Sequence, residues 1–136
     1  MCLDVQSGNI SNGANVQVYE GNGTGAQQFS FVEIIKPERT IKDGTYRIAM
    51  FSNPNIGIDI DAGLKNNGAN VLLWDWYEEN NTQKKFNFRY DETDGYYTIT
   101  NVNSGKLLDT ENGGNTNGTN VWQYEENGTS SQKWNI

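Results

Sequence analysis

The sequence predicts an all-β fold assembled from three copies of one unit. Three observations lead there. Asparagine sits beside glycine at Asn12-Gly13, Asn22-Gly23, Asn67-Gly68, Asn117-Gly118 and Asn127-Gly128, and such pairs mark tight turns. Between the turns lie short runs rich in Val, Ile, Tyr, Trp and Thr, the residues that fit a pleated strand. Long stretches with apolar residues at helical spacing are missing.

The copies run from Cys2 to Phe31, from Ile58 to Phe88 and from Leu107 to Ile136. Their anchors are Asp4, Asp59 and Asp109. Nine residues after each comes a glycine: Gly13, Gly68, Gly118. Two further on is an asparagine: Asn15, Asn70, Asn120. Four further again is an aromatic: Tyr19, Trp74, Tyr124. Each copy closes with a glutamine and then an aromatic: Gln27/Phe29, Gln83/Phe86, Gln132/Trp134, the second with one extra residue before its ring. A repeat of about 50 residues is too long for a hexapeptide β-helix, and three blades are too few for a propeller. A unit of this size does not bury its apolar face alone, so a closed threefold arrangement around a shared core is expected.

Taken in chain order, Tyr46–Met50 and Tyr97–Thr100 are first strands, each after an Asp-Gly turn (Asp43-Gly44, Asp94-Gly95). Ile58–Ile60 is a second strand. Asn70–Trp74 is a third, following the Gly68 turn, and Lys85–Tyr90 is a fourth. The first unit starts at its second strand and lacks a first.

Charge and composition remove several functional classes. The net charge is −7, so phosphate backbones would be repelled, and no Lys/Arg stripe offsets this; nucleic acid is not an expected partner. The longest apolar run, Val71-Leu72-Leu73-Trp74, is far short of the roughly 18 residues a membrane helix needs. Aromatics make up 12% of the chain, more than a disordered segment carries. Histidine is absent, which removes the commonest general base and zinc ligand. The single cysteine, Cys2, forms no internal disulfide and reads as a small apolar strand residue. No signal peptide is visible after Met1. No cofactor and no metal site is expected; calcium ligation by Asp59 and Asp61 lacks EF-hand spacing.

The repeats resemble those of ricin B-chain-like β-trefoil lectins. The resemblance rests on Leu3-Asp4-Val5 and Leu108-Asp109-Thr110, on the Asn-Gly-x-Asn-Val segments at 12–16, 67–71 and 117–121, and on Gln132-Lys133-Trp134. Gln27-Gln28-Phe29 and Gln83-Lys84-Lys85-Phe86 are weaker versions of that last motif. The lack of disulfides and the Asp-Gly-x-Tyr openings look like the bacterial branch. The resemblance implies a single β-trefoil over residues 1–136, with units at 1–42, 43–93 and 94–136. The junction from Val32 to Lys42 contains Pro37 and is longer than its counterpart from Arg89 to Thr93. Residues 1–34 therefore either close this trefoil in permuted order or end an upstream one. One compact domain is the expectation, since the units need each other.

The resemblance also implies non-catalytic carbohydrate binding, weak at each site and strengthened by multivalency. Galactose-type sugars rank first, then xylan or arabinan chains. Modules of this kind target secreted bacterial enzymes or toxins to glycans, so a secreted location and a larger parent protein are implied. The family's sugar site uses the aspartate, a residue thirteen later, an aromatic fifteen later, an asparagine before the closing glutamine, and that glutamine. Carried over, these fall on Asp4, Gln17, Tyr19, Ala26 and Gln27; on Asp59, Leu72, Trp74, Thr82 or Asn81, and Gln83; and on Asp109, Trp122, Tyr124, Ser131 and Gln132. The chemistry suits a sugar. A carboxylate accepts hydroxyl hydrogen bonds, an amide donates and accepts, and a ring covers the C–H face of a pyranose.

Bland roles stand beside these. Gln27, Gln83 and Gln132 are expected to tie hairpins, and Phe29, Phe86 and Trp134 to fill the core with Val16, Val71 and Val121. The aspartates can cap turns and the rings can simply pack. Trp76 and Tyr77 either widen the second platform or pack. Glu78-Glu79 and Glu125-Glu126 are adjacent, so neither pair flanks one glycosidic bond, and a glycosidase is disfavoured. The alternative reading is a structural or protein-interaction trefoil whose sugar sites have decayed.

Overall fold

The computed structural model describes residues 1–30, 38–76 and 81–136. The junction residues 31–37, together with Tyr77 and Glu78-Glu79, lie outside the described residues. The chain forms two compact units, Met1–Ile35 and Lys36–Ile136.

The first unit is one hairpin. Strands β1 (Cys2–Val5) and β2 (Val16–Tyr19) pair antiparallel, with Asp4 opposite Gln17. A 3₁₀ turn at Gln6–Gly8 follows β1, and another at Gly25–Gln27 follows β2. Asp4 is buried, whereas Val16 and Phe29, expected in the core, are exposed. A single two-stranded hairpin has no second layer of its own in which to bury them.

The second unit holds the remaining strands: β3 (Gly44–Tyr46), β4 (Ile56–Ile60), β5 (Val71–Asp75), β6 (Phe86–Asp91), β7 (Tyr96–Asn101), β8 (Leu107–Thr110) and β9 (Val121–Tyr124). One sheet runs β3-β6-β7-β8-β9, and β4-β5 is a separate hairpin. The expected strand Tyr46–Met50 divides between two partners. Its first part, β3, pairs with β6. After Arg47 the chain turns to β4 instead: Ile58 N–H donates to Ile48 O at 2.8 Å and Met50 N–H to Ile56 O at 2.9 Å. Gly57 permits that approach, since a Cβ there would meet Ile48 O at 2.7 Å. Asp43-Gly44 is thus the start of a strand and not a tight turn. In the third repeat the fourth strand shrinks to one bridge, Tyr97 to Trp134.

The core gathers Ile60, Ala69, Phe86, Phe88, Tyr97, Ile99 and Leu108, flanked by Val71, Val121 and Trp134. Phe88 packs edge-on to both Tyr46 and Tyr97. The Tyr97 hydroxyl donates to Ile41 O and accepts from the Thr40 and Ile41 N–H groups, which fastens the entry to β3. An apolar cavity of about 530 Å³ borders this core, lined by Ile48, Ile58, Val71, Val121 and Trp134 among others.

The second and third repeats interlock through Gln123. It is fully buried, its side-chain N–H donates to Leu64 O and Asn66 O, and its backbone pairs with Gly68 and Ala69. All six Asn-Gly glycines, that of Asn112-Gly113 included, have positive φ, from 69° to 88°, the conformation their turns require.

Candidate functional site

Each repeat builds a pocket from the same four parts. The anchoring aspartate is the second-to-last residue of a strand and is buried: Asp4 is 6% exposed, Asp59 6% and Asp109 4%. A tight turn follows in which a non-glycine residue and a glycine are both left-handed: Ser7-Gly8, Ala62-Gly63, Asn112-Gly113. The partner strand of the hairpin then presents a ring two residues beyond the position opposite the aspartate. Tyr19 and Trp74 are about half exposed, and Tyr124 is partly buried. A second 3₁₀ turn, at 25–27, 82–84 and 130–132, closes the far side. Because side chains alternate along a strand, opposed position and ring face the same side.

The first pocket has a volume of about 440 Å³ and is lined by Asp4, Ser7, Gln17, Tyr19 and Ala26, among others. Gln17 Nε2 donates to Asp4 Oδ1 at 3.0 Å. The third has a volume of about 350 Å³ and is lined by Asp109, Asn112, Trp122, Tyr124, Thr129 and Ser131. There Trp122 Nε1 donates to Asp109 Oδ1 at 3.0 Å, and the Trp122 and Tyr124 rings stack at 5.7 Å. In both, the residue opposite the aspartate occupies one of its two oxygens.

The closing glutamines of these two repeats are ties. Gln27 Oε1 accepts from Asn22 N–H at 2.9 Å, and its Nε2 donates to Glu20 O at 2.7 Å. Gln132 repeats this with Asn127 N–H at 3.0 Å and Glu125 O at 2.8 Å. Neither glutamine lines its pocket. The structure brings Asp4, Gln17 and Tyr19 together, and Asp109, Trp122 and Tyr124 together, with Gln27 and Gln132 behind them.

The second repeat departs from this plan. Its tie is Lys84, not Gln83. Lys84 ends the 3₁₀ turn as Gln27 and Gln132 end theirs, is 3% exposed, and its Nζ donates to Asp75 O at 2.6 Å. Asp75 follows the pocket ring as Glu20 and Glu125 do. The sequence separation from carbonyl to tie is nine residues here and seven in the other repeats. Aligning Gln83 with the other two glutamines is therefore corrected by one position. Gln83 instead takes the place of Ala26 and Ser131, the position before the tie, where the family resemblance expects an asparagine. Its amide lies against Gly63, as Ser131 lies against Gly113. Asn81 caps the turn, as Thr24 and Thr129 do.

The second pocket has a volume of about 390 Å³ and is lined by Asp59, Asp61, Leu72, Trp74, Asn81, Gln83 and Lys84, among others. Leu72 stands opposite Asp59 and has no donor to offer. Asp59 Oδ2 lies 3.4 Å from Lys84 Nζ, and Asp59 Oδ1 is buried without a hydrogen-bond partner among the described residues. Burial raises the Asp59 carboxyl above its ordinary 3.8, while Lys84 and the Ile60 N–H pull it back down.

Trp76, a candidate for widening this platform, lies with its ring under the Arg47 guanidinium at 4.8 Å. Lys84 and the left-handed turns are the site features that residue spacing missed. The tie had one available signal: Gln27 and Gln132 precede the aromatics that close their repeats by two positions, and two positions before Phe86 stands Lys84.

The chain matches the family model for the ricin-type β-trefoil lectin domain-like family over residues 1–74 and 82–136. No curated protein matches it. Among solved structures it resembles a designed 3-fold symmetric protein, ThreeFoil, at 31% identity and a TM-score of 0.60, covering 97% of this chain and 86% of that one. It also resembles an exo-beta-1,3-galactanase from Clostridium thermocellum, at 24% identity and a TM-score of 0.59, over 97% of this chain and 26% of that one. The mdaA-1 domain shares 18% identity at a TM-score of 0.55, over 71% of this chain and 56% of that one. With its repeated hairpins, its nearly all-β build and a family match along most of its length, the chain belongs to the ricin-type β-trefoil lectin domain-like family.

Proposed function

We propose that this chain is a non-catalytic carbohydrate-binding module that grips sugars in its Asp-plus-aromatic pockets. One observation carries the reading: a buried carboxylate beside an aromatic ring in an open pocket recurs in all three repeats. Burial leaves each aspartate few competitors for its remaining oxygen, and charge-assisted bonds to hydroxyls are the strong ones. Each ring supplies the apolar surface for the C–H face of a sugar. Among the described lining residues the first and third pockets hold one carboxylate apiece, which does not serve a two-carboxylate glycosidase.

Galactose-type sugars are the first candidates on family resemblance, followed by xylan or arabinan chains. Each pocket is shallow, and a millimolar site corresponds to only about −4 kcal/mol. Three on one chain gain from avidity on a polymer. Delivery of a larger secreted bacterial enzyme or toxin to a glycan surface fits that design.

A second reading, an interaction scaffold with decayed sites, draws on the internal bonds that Asp4 and Asp109 make to Gln17 and Trp122. A glycan array with Asp4→Asn, Asp59→Asn and Asp109→Asn separates the two. A lectin loses glycan signal in these variants and keeps its Tm within a few degrees. A scaffold shows no glycan signal in the parent chain, and only its Tm responds.

A further inference from the structure

The three pockets differ in what their aspartate has left to offer. In the first and third, Oδ1 already accepts from Gln17 Nε2 or Trp122 Nε1. In the second, Leu72 replaces that donor, and Oδ1 is buried with no hydrogen-bond partner among the described residues. A buried acceptor left unmet is costly, and a ligand hydroxyl that meets it recovers that cost on binding. The same repeat carries an amide, Gln83, where the others have Ala26 and Ser131. It also replaces the neutral glutamine tie with a buried ammonium, Lys84, which reaches Asp75 O and lies 3.4 Å from Asp59 Oδ2.

Resting on the carbohydrate-binding reading, we propose that the second pocket is the principal sugar site, selecting a neutral sugar whose hydroxyl donates to Asp59 Oδ1, with Lys84 as the positioning residue that keeps this carboxylate ionised and aimed. Leu72 and Trp74 form its apolar walls, and Gln83 offers both a donor and an acceptor to a neighbouring hydroxyl. A ligand group that cannot donate leaves Oδ1 unmet, so deoxy or O-methyl analogues are strongly rejected. The charged groups facing Asp59 are Lys84, which favours ionisation, and Asp61, which opposes it. Replacing Lys84 by a neutral residue therefore makes the carboxylate easier to protonate.

The test uses the full ¹⁵N-labelled chain titrated with methyl β-galactoside and, separately, with methyl β-xyloside. The Trp74 and Trp122 indole N–H signals report the second and third pockets. The expected result is saturation at Trp74 at a sugar concentration about tenfold lower than at Trp122. Asp59→Asn abolishes the Trp74 response and spares that of Trp122. Lys84→Gln weakens the Trp74 response severalfold and moves its acid limb to higher pH, while Lys84→Arg restores both. Gln27 and Gln132 fill the same place in the other repeats, so Lys84→Gln retains a workable tie; if it fails to fold, the parent chain's two indoles still decide. Equal or tighter binding at Trp122 overturns the inference and leaves the carbohydrate reading standing. An unmoved acid limb in folded Lys84→Gln overturns the role of Lys84. Silence of both indoles with both glycosides overturns the inference and the carbohydrate reading together.

Discussion

The first and third hairpins hold their anchoring aspartate with a donor across the strand pair and close with a neutral glutamine. The second holds its aspartate with a cation and leaves one buried oxygen without a hydrogen-bond partner among the described residues. Exchange of one amide for an ammonium, together with loss of the opposing donor at Leu72, changes what a similar backbone offers a ligand. A buried carboxylate needs compensation from somewhere. Where the strand partner supplies it, the pocket is quiet. Where a lysine supplies it, the aspartate keeps an acceptor unmet among the described residues, and burial raises its carboxyl against the pull of that lysine.

The largest effect is expected from removing that cation outright. Lys84→Met strands Asp59 in a buried setting and lowers unfolding stability by about 3 kcal/mol in chemical denaturation. Gln132→Ala comes next. It frees the Asn127 N–H and the Glu125 carbonyl behind the third pocket, at a cost of about 2 kcal/mol. If both variants cost the same as an exposed substitution, the ties are not what fastens the turns beside the pockets.

The second pocket carries a pH dependence of its own. Burial raises Asp59 above 3.8, so the folded chain binds this proton more tightly than the unfolded chain does. Its contribution to stability is fully present below the unfolded value and is lost as pH rises through the folded one. Asp59→Asn removes that part of the stability–pH slope, measured by urea denaturation at a series of pH values. Sugar binding at Trp74 runs the opposite way and strengthens as the carboxylate ionises.

The smallest effect concerns the left-handed turns. Ala62 holds φ 50°, whereas its counterpart Asn112 at φ 53° is of a type that tolerates this region. Ala62→Gly relieves strain and stabilises by up to about 1 kcal/mol, with thermal denaturation as the readout. Asn112→Gly gains less.

Much of this was legible in the residue pattern. The Asn-Gly pairs at 12–13, 22–23, 67–68, 117–118 and 127–128 marked five of the ten left-handed glycines among the described residues, and the aspartate-to-aromatic spacing located three hairpins whose pairing places Asp4 opposite Gln17, Asp59 opposite Leu72 and Asp109 opposite Trp122. Those signals are local: a turn needs its own residues, and hairpin register follows from the turn. The division of the 44–50 segment between β6 and β4 was not legible, since apolar alternation does not name a strand's partner. The Lys84 tie was missed for a different reason. Two additional residues between Asp75 and the tie moved a glutamine next to the expected place, and residue type was matched where distance to the core ring, Phe86, was the conserved geometry of the repeat. Exposure of Val16 and Phe29 was likewise invisible, because an apolar residue declares a preference and not the layer that meets it.

The most direct measurement is a crystal structure of the chain soaked in concentrated galactose. The account predicts a sugar ring lying on the Trp74 face, with a hydroxyl within hydrogen-bond distance of Asp59 Oδ1. Sugar bound elsewhere, with all three aspartate pockets empty at saturation, would contradict it.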